Sequence, residues 1–166
     1  MEESNPVQTA GIREFLAETM AEELDMESFH RVGAVVSSSE KSVAEMTALL
    51  AEWESFTKSI GVKASTAGVL HGFCALSFGN VEAAEEALKA QKRTEWGAYW
   101  IAKAHLAANH PQNALAAAEE GHEKFKDMLP LSYLLAEIYV LLGKTDEAEA
   151  LLKSLKKSDG ASAEYA

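Results

Sequence analysis

The chain holds 166 residues, 48% of them apolar and 25% charged, with three prolines and one cysteine, Cys74. Such a length and apolar content suit one domain with a real core and exclude disorder throughout; a lone cysteine excludes an internal disulfide framework, and no apolar run approaches the roughly 20 residues of a membrane span. The formal net charge of −11 disfavours nucleic acid and anionic lipid as partners. Abundant alanine and the absence of β-branched runs predict an all-α protein. The opening MEESNPVQTAG lacks the basic and apolar regions of a signal peptide, so the cytoplasm is the expected compartment. The acidity is uneven. Residues 1–62 carry 12 acidic against 4 basic side chains, and residues 63–166 carry 14 against 11. Solubility accounts for this, and an acidic N-terminal part would also steer a basic partner.

From about Val7 to Leu24, Ile12, Phe15, Leu16, Met20 and Leu24 share a face and predict an amphipathic helix. Asp25 and Glu27 bracket a break, and a short helix carries Phe29, Val32, Val35 and Val36. After Ser37-Ser38-Ser39, Ser42 and Glu45 fit a capping box. A long helix follows, striped by Val43, Met46, Leu49, Leu50, Trp53, Phe56 and Ile60, and Gly61 stops it. The stretch ASTAGVLHGFCALSFG is small or apolar almost all round, the mark of a helix buried between neighbours. Gly79-Asn80 turns the chain into a helix over Val81–Ala90. Thr94 caps a third hairpin, whose arms meet at Asn109-His110-Pro111. In the last hairpin Leu134, Leu135, Ile138, Tyr139 and Leu142 form the first stripe, Gly143 the turn, and Ala148, Leu151, Leu152 and Leu155 the second stripe. About nine helices result.

Three hairpins share one register. Gly79, Asn109 and Gly143 each end a first arm, 30 and then 34 residues apart. Ala84, Ala114 and Ala148 each follow five residues later, and a small residue, Gly72, Ala102 or Ala136, lies seven residues before each turn. On these residues the chain resembles the tetratricopeptide repeat, a helix–turn–helix unit of about 34 residues. The last repeat matches well through Ala136, Tyr139, Gly143, Ala148 and Leu152. The middle one has His105 where a large apolar residue is usual, the first is four residues short, and the opening tryptophan is missing from all three. The resemblance organises the chain as an N-terminal helical segment over 1–62, three hairpins over 63–158 and a flexible tail over 159–166. The first segment is read as a degenerate repeat or as helices that fill the groove.

The resemblance implies a right-handed superhelix of antiparallel hairpins, with first arms lining a groove that binds a peptide or helix of another protein. Carried onto this chain, the groove positions are Val69, Phe73 and Leu76; Trp96, Tyr99, Lys103 and Leu106; and Tyr133, Glu137 and Val140. Repeat proteins that grip acidic chaperone tails need lysines and asparagines there, and only Lys103 suits an anion. An apolar or amphipathic partner segment fits better, in the manner of an adaptor or of the small repeat proteins that chaperone secretion-system subunits in bacteria. A structural alternative is self-assembly as a homo-oligomer through Leu151 and Leu155 of the terminal hairpin.

An enzyme is not expected. Gly143-Lys144-Thr145 lacks the preceding glycine and strand of a phosphate-binding loop, and Ser38 with Lys41 lacks the companion motifs of acyl-transfer enzymes. His30, His71, His105, His110 and His122 are scattered, so no metal or cofactor is expected. Glu22-Glu23, Glu85-Glu86 and Glu119-Glu120 are adjacent pairs that point apart on a helix and read as solvated faces.

Overall fold

The computed structural model describes the backbone of residues 11–163 and the side chains of residues 11–157. Among the described residues the chain is all-α, with ten helices and no strand. They fall into two compact units, parted in sequence between Ala90 and Gln91. The sequence pattern marks a change at 62/63, where the repeat hairpins begin. Within the first unit the first repeat hairpin packs on the N-terminal helices: Phe29 meets Phe73 edge-on, with ring centroids 5.2 Å apart.

The first unit holds α1 (Ile12–Ala21), α2 (Met26–Val36), α3 (Glu40–Ala51), α4 (Trp53–Ser59), α5 (Ala64–Ser77) and α6 (Val81–Lys89). Residues 7–10 of the first predicted helix lie outside the described residues. The expected break at Asp25 is a helix start: its carboxylate accepts the Ser28 backbone N–H at 2.7 Å, and that bond lowers its pKa. Phe29, Val32 and Val36 are fully buried behind it. Ser39, rather than Ser42, caps α3 by accepting the Ser42 N–H at 3.1 Å, one turn earlier than the motif suggests.

The long helix expected over 43–60 is two helices, α3 and α4, which brings the total to ten. The break falls at Glu52, with no glycine or proline to announce it. What lies beside it is tertiary. The Trp53 indole N–H donates to the Ala67 carbonyl at 2.9 Å, and its ring stacks on His71 at 5.5 Å. A buried indole needs an acceptor, and this one is 14 residues away on α5.

α5 and α6 form the first hairpin. Gly72 sits where they approach most closely: a Cβ there would come within 2.2 Å of the Leu88 Cγ. Leu88 is fully buried, so its whole side chain would have to move.

The second unit holds α7 (Glu95–Ala107), α8 (Pro111–Lys124), α9 (Leu129–Leu141) and α10 (Thr145–Ala163), each packed on the next. Its core is Ala98, Ala102, Ala114, Ala118, Leu131, Leu134, Leu135 and Ile138, with Leu115 and Met128. Small residues on α7 and α8 let those arms close, and α9 supplies the bulk. α10 runs to Ala163, past the end at 158 that the pattern suggests.

The three repeat turns are built alike. Gly79, Asn109 and Gly143 have φ of +73°, +59° and +73°. In each, the next residue donates its N–H back five residues: Asn80 to Ala75, His110 to His105 and Lys144 to Tyr139, at 2.9, 2.8 and 2.8 Å. This is the Schellman closure, which satisfies carbonyls the helix end would leave unpaired. The shared turn chemistry explains why the register is legible across units of different composition.

Candidate partner-binding face

α7 and α9 are the first arms of the two repeats in the second unit, and they pack against each other as well as against α8. Thr94 fixes the start of α7 by accepting the Gly97 N–H at 3.1 Å. Gly97 leaves room for the Gln91 carbonyl, which a Cβ would meet at 1.9 Å. With Ala98, Ile101 and Ala102 buried, the helix turns Trp96, Tyr99, Lys103 and Leu106 toward a half-exposed position. Trp96 meets Tyr99 edge-on at 5.6 Å, and Tyr99 meets Trp100 edge-on at 5.0 Å, so the Tyr99 ring is held by aromatic neighbours in its own helix.

α9 begins with Pro130 in its first turn and is apolar almost all round. Leu131, Leu134, Leu135 and Ile138 are buried. The remaining apolar side chains have no core to enter. Leu129, Tyr133, Val140 and Leu141 are 40%, 51%, 59% and 63% exposed, and they make up most of the large apolar side chains left open among the described residues. Glu137 lies exposed one turn from Tyr133 on the same face.

Two phenols report the electrostatics. Burial pushes the Tyr99 hydroxyl above its ordinary pKa, and the Glu137 carboxylate across from it adds to the shift. Tyr139, on another side of α9, donates to Glu119 at 2.9 Å and is pushed up to about 12, by burial first and by that bond second. It ties α8 to α9. The His122 Nδ1 lies 3.1 Å from the hydroxyl of Ser132, which is fully buried and also donates to the Met128 carbonyl. That pair is a strut between α8 and α9, since a substrate cannot reach Ser132. Cys74 is fully buried and pushed up to about 12, which leaves no thiolate for chemistry.

Of the ten groove residues read from the sequence, seven lie on α7 and α9, half-exposed or exposed: Trp96, Tyr99, Lys103, Leu106, Tyr133, Glu137 and Val140. Val69 and Phe73 are core instead, at 2% and 8% exposure in the first unit, because α2 covers that face of α5 through Phe29. Leu76 is half-buried in the same unit. Leu151 and Leu155, offered as a self-association surface, also face inward. Leu155 is buried and Leu151 packs on the second unit's core, since α10 turns this stripe toward α9. The exposed leucine of that helix is Leu152. Sequence reasoning missed Leu129 and Leu141. The signal was available: both are apolar residues of α9 off the stripe that fills the core.

Hairpins joined by Schellman turns at near-constant spacing, with paired first arms, define a helical-repeat protein. Residues 105–166 match the family model of the tetratricopeptide repeat, which supports a protein of tetratricopeptide-repeat type. No curated protein and no solved structure matches the chain significantly. Among the described residues no helix is long and apolar enough to cross a membrane.

Proposed function

We propose that the protein is a non-enzymatic interaction module and that the face of α7 and α9 receives an apolar or amphipathic segment of a partner protein. The repeat is an interaction unit, which supports a protein partner. The observation that carries the face assignment is the row of exposed apolar side chains along α9, Leu129, Tyr133, Val140 and Leu141. Isolated apolar residues on a surface are ordinary, but a row on one helix beside half-exposed aromatic rings is the composition of a docking surface. The role is that of an adaptor, or of a chaperone that shields the segment until it is used.

Affinity capture from the source cells tests this reading, with the wild-type chain and with the double variant Tyr133→Ala, Val140→Ala. Both residues lie outside the core, so helicity by circular dichroism is expected to stay at the wild-type level. The wild type is expected to retain a stoichiometric partner that the variant loses. A partner retained equally by both would overturn the face assignment.

A further inference from the structure

On α9 this face carries one carboxylate, Glu137, amid aromatic and apolar side chains. Other glutamates of this unit have partners at hand: Glu120 pairs with Lys124 at 2.7 Å, Glu149 with Lys153 at 3.0 Å, Glu147 with Lys144 at 3.6 Å, and Glu119 accepts from Tyr139. Among the described residues Glu137 forms neither an ion pair nor a hydrogen bond. Tyr133 lies one turn before it on α9, and Tyr99 is near enough on α7 to feel its charge. Tyr99 and Tyr133 occupy the same repeat position, as do Lys103 and Glu137, each pair 34 residues apart. Lys103 is not paired with Glu137.

A carboxylate beside two phenol rings is complementary to a cation. The π faces are negative, and the carboxylate accepts the N–H donors of a guanidinium or ammonium group. The surrounding apolar surface keeps water from the contact once a segment has docked, which strengthens it. An anionic side chain at the same place would meet like charge. We infer that Glu137, flanked by Tyr99 and Tyr133, seats a basic side chain, arginine or lysine, carried at the edge of the partner's apolar segment. This rests on the docking face proposed above and names the charge its partner carries. The recognition is the reverse of a carboxylate clamp, in which the repeat supplies the cation.

The test uses the full chain and three synthetic amphipathic helical peptides. They share one leucine face and differ at a single border residue, which is arginine, glutamine or glutamate. Binding is followed by fluorescence anisotropy. The arginine peptide is expected to bind about three- to five-fold more tightly than the glutamine peptide, the size of a partly exposed cation–π contact. The glutamate peptide is expected to bind more weakly than either. In Glu137→Gln most of the arginine advantage is expected to be lost, the two rings supplying what remains, while the affinity for the glutamine peptide is unchanged. Tyr133→Leu keeps apolar surface and the charge, and is expected to shrink the advantage without removing it. Equal binding of all three peptides to the wild-type chain would overturn the cation seat and leave the docking face standing. Tighter binding of the glutamate peptide would overturn it in favour of Lys103. Binding of none would overturn both.

Discussion

The two units put the same three repeat positions to different uses. The first position holds Val69 in α5, Tyr99 in α7 and Tyr133 in α9, and the side chain goes from 2% exposed, through half-buried, to 51% exposed. The second holds Phe73 at 8% exposure, then half-buried Lys103, then exposed Glu137. The third holds half-buried Leu76 and Leu106, and then Val140 at 59%. In the first unit α2 covers the first arm, and purely apolar side chains answer it. In the second unit the positions turn amphipathic, with an aromatic ring bearing a hydroxyl, a lysine and a glutamate. At the first two positions the covered arm holds apolar side chains and the more open arms amphipathic or charged ones, whereas the third position is apolar in all three.

The comparison is broken most severely by removing the cover. Phe29 is fully buried and meets Phe73 edge-on, so Phe29→Ala is expected to destabilise the first unit by about 3–5 kcal/mol, the usual range for a buried phenylalanine. Tyr133→Ala at the open face is expected to stay within about 0.5 kcal/mol, as surface substitutions do. Urea unfolding followed by circular dichroism measures both. Equal effects would mean that the two faces do not differ as described.

The next effect separates the hairpins. Gly72→Ala drives a methyl into Leu88 inside a packed core, an overpacking cost of about 1–3 kcal/mol, against a gain of about 1 kcal/mol in helix propensity. A net loss is expected. The corresponding positions, Ala102 and Ala136, already carry the methyl and are buried with it. A stabilised Gly72→Ala chain would show that the first hairpin is as widely spaced as the others. Asn109→Ala sits on the other side of the comparison. It puts a residue less tolerant of the left-handed conformation than asparagine at φ +59°, and about 1 kcal/mol of lost stability is expected; Asn109→Gly is expected to lose nothing.

Protonation affects both units in the same direction. Burial lowers the pKa of His71 in the first unit, and burial together with the Lys126 charge lowers that of His122 in the second. A depressed histidine pKa means that the unfolded chain takes up the proton first. The stability held above the ordinary value of 6.5 is therefore lost as the pH falls through that value toward the folded pKa. Thermal melts between neutral and mildly acid pH are expected to show this decline, and His122→Gln is expected to flatten the part that belongs to the second unit. An undiminished decline in that variant would place the titration elsewhere.

The register of the repeats was legible because it is written in local chemistry. Gly79, Asn109 and Gly143 take the left-handed conformation, and the alanines that follow pack where little else fits. The core stripe of α9 and the cap at Thr94 were legible for the same reason. The break at Glu52 was not, because what marks it is Trp53 reaching the Ala67 carbonyl, a contact that no periodicity encodes. The burial of Val69 and Phe73 depends on α2 docking against α5, and an apolar residue in a first arm reads alike whether it is covered or open. The inward turn of Leu151 and Leu155 was hidden by a near neighbour: Leu152 carries the same side chain and faces out.

The smallest effect on stability is expected where the effect on binding is largest. Leu141 is 63% exposed, the most open of the large apolar side chains described, and it lies one turn from Glu137. Leu141→Ser removes apolar surface without opening a cavity, and the melting temperature is expected to stay within the range of ordinary surface substitutions. If the α9 row docks a partner segment, the same change is expected to weaken capture of that segment, because the lost contact was desolvated only in the complex. Leu152→Ser, at 36% exposure on α10, is the matched control, an exposed leucine outside the α9 row. Equal loss of binding in the two variants would assign the partner to a surface wider than the row on α9. Loss in Leu141→Ser alone would confine it to the face on which composition and exposure already agree.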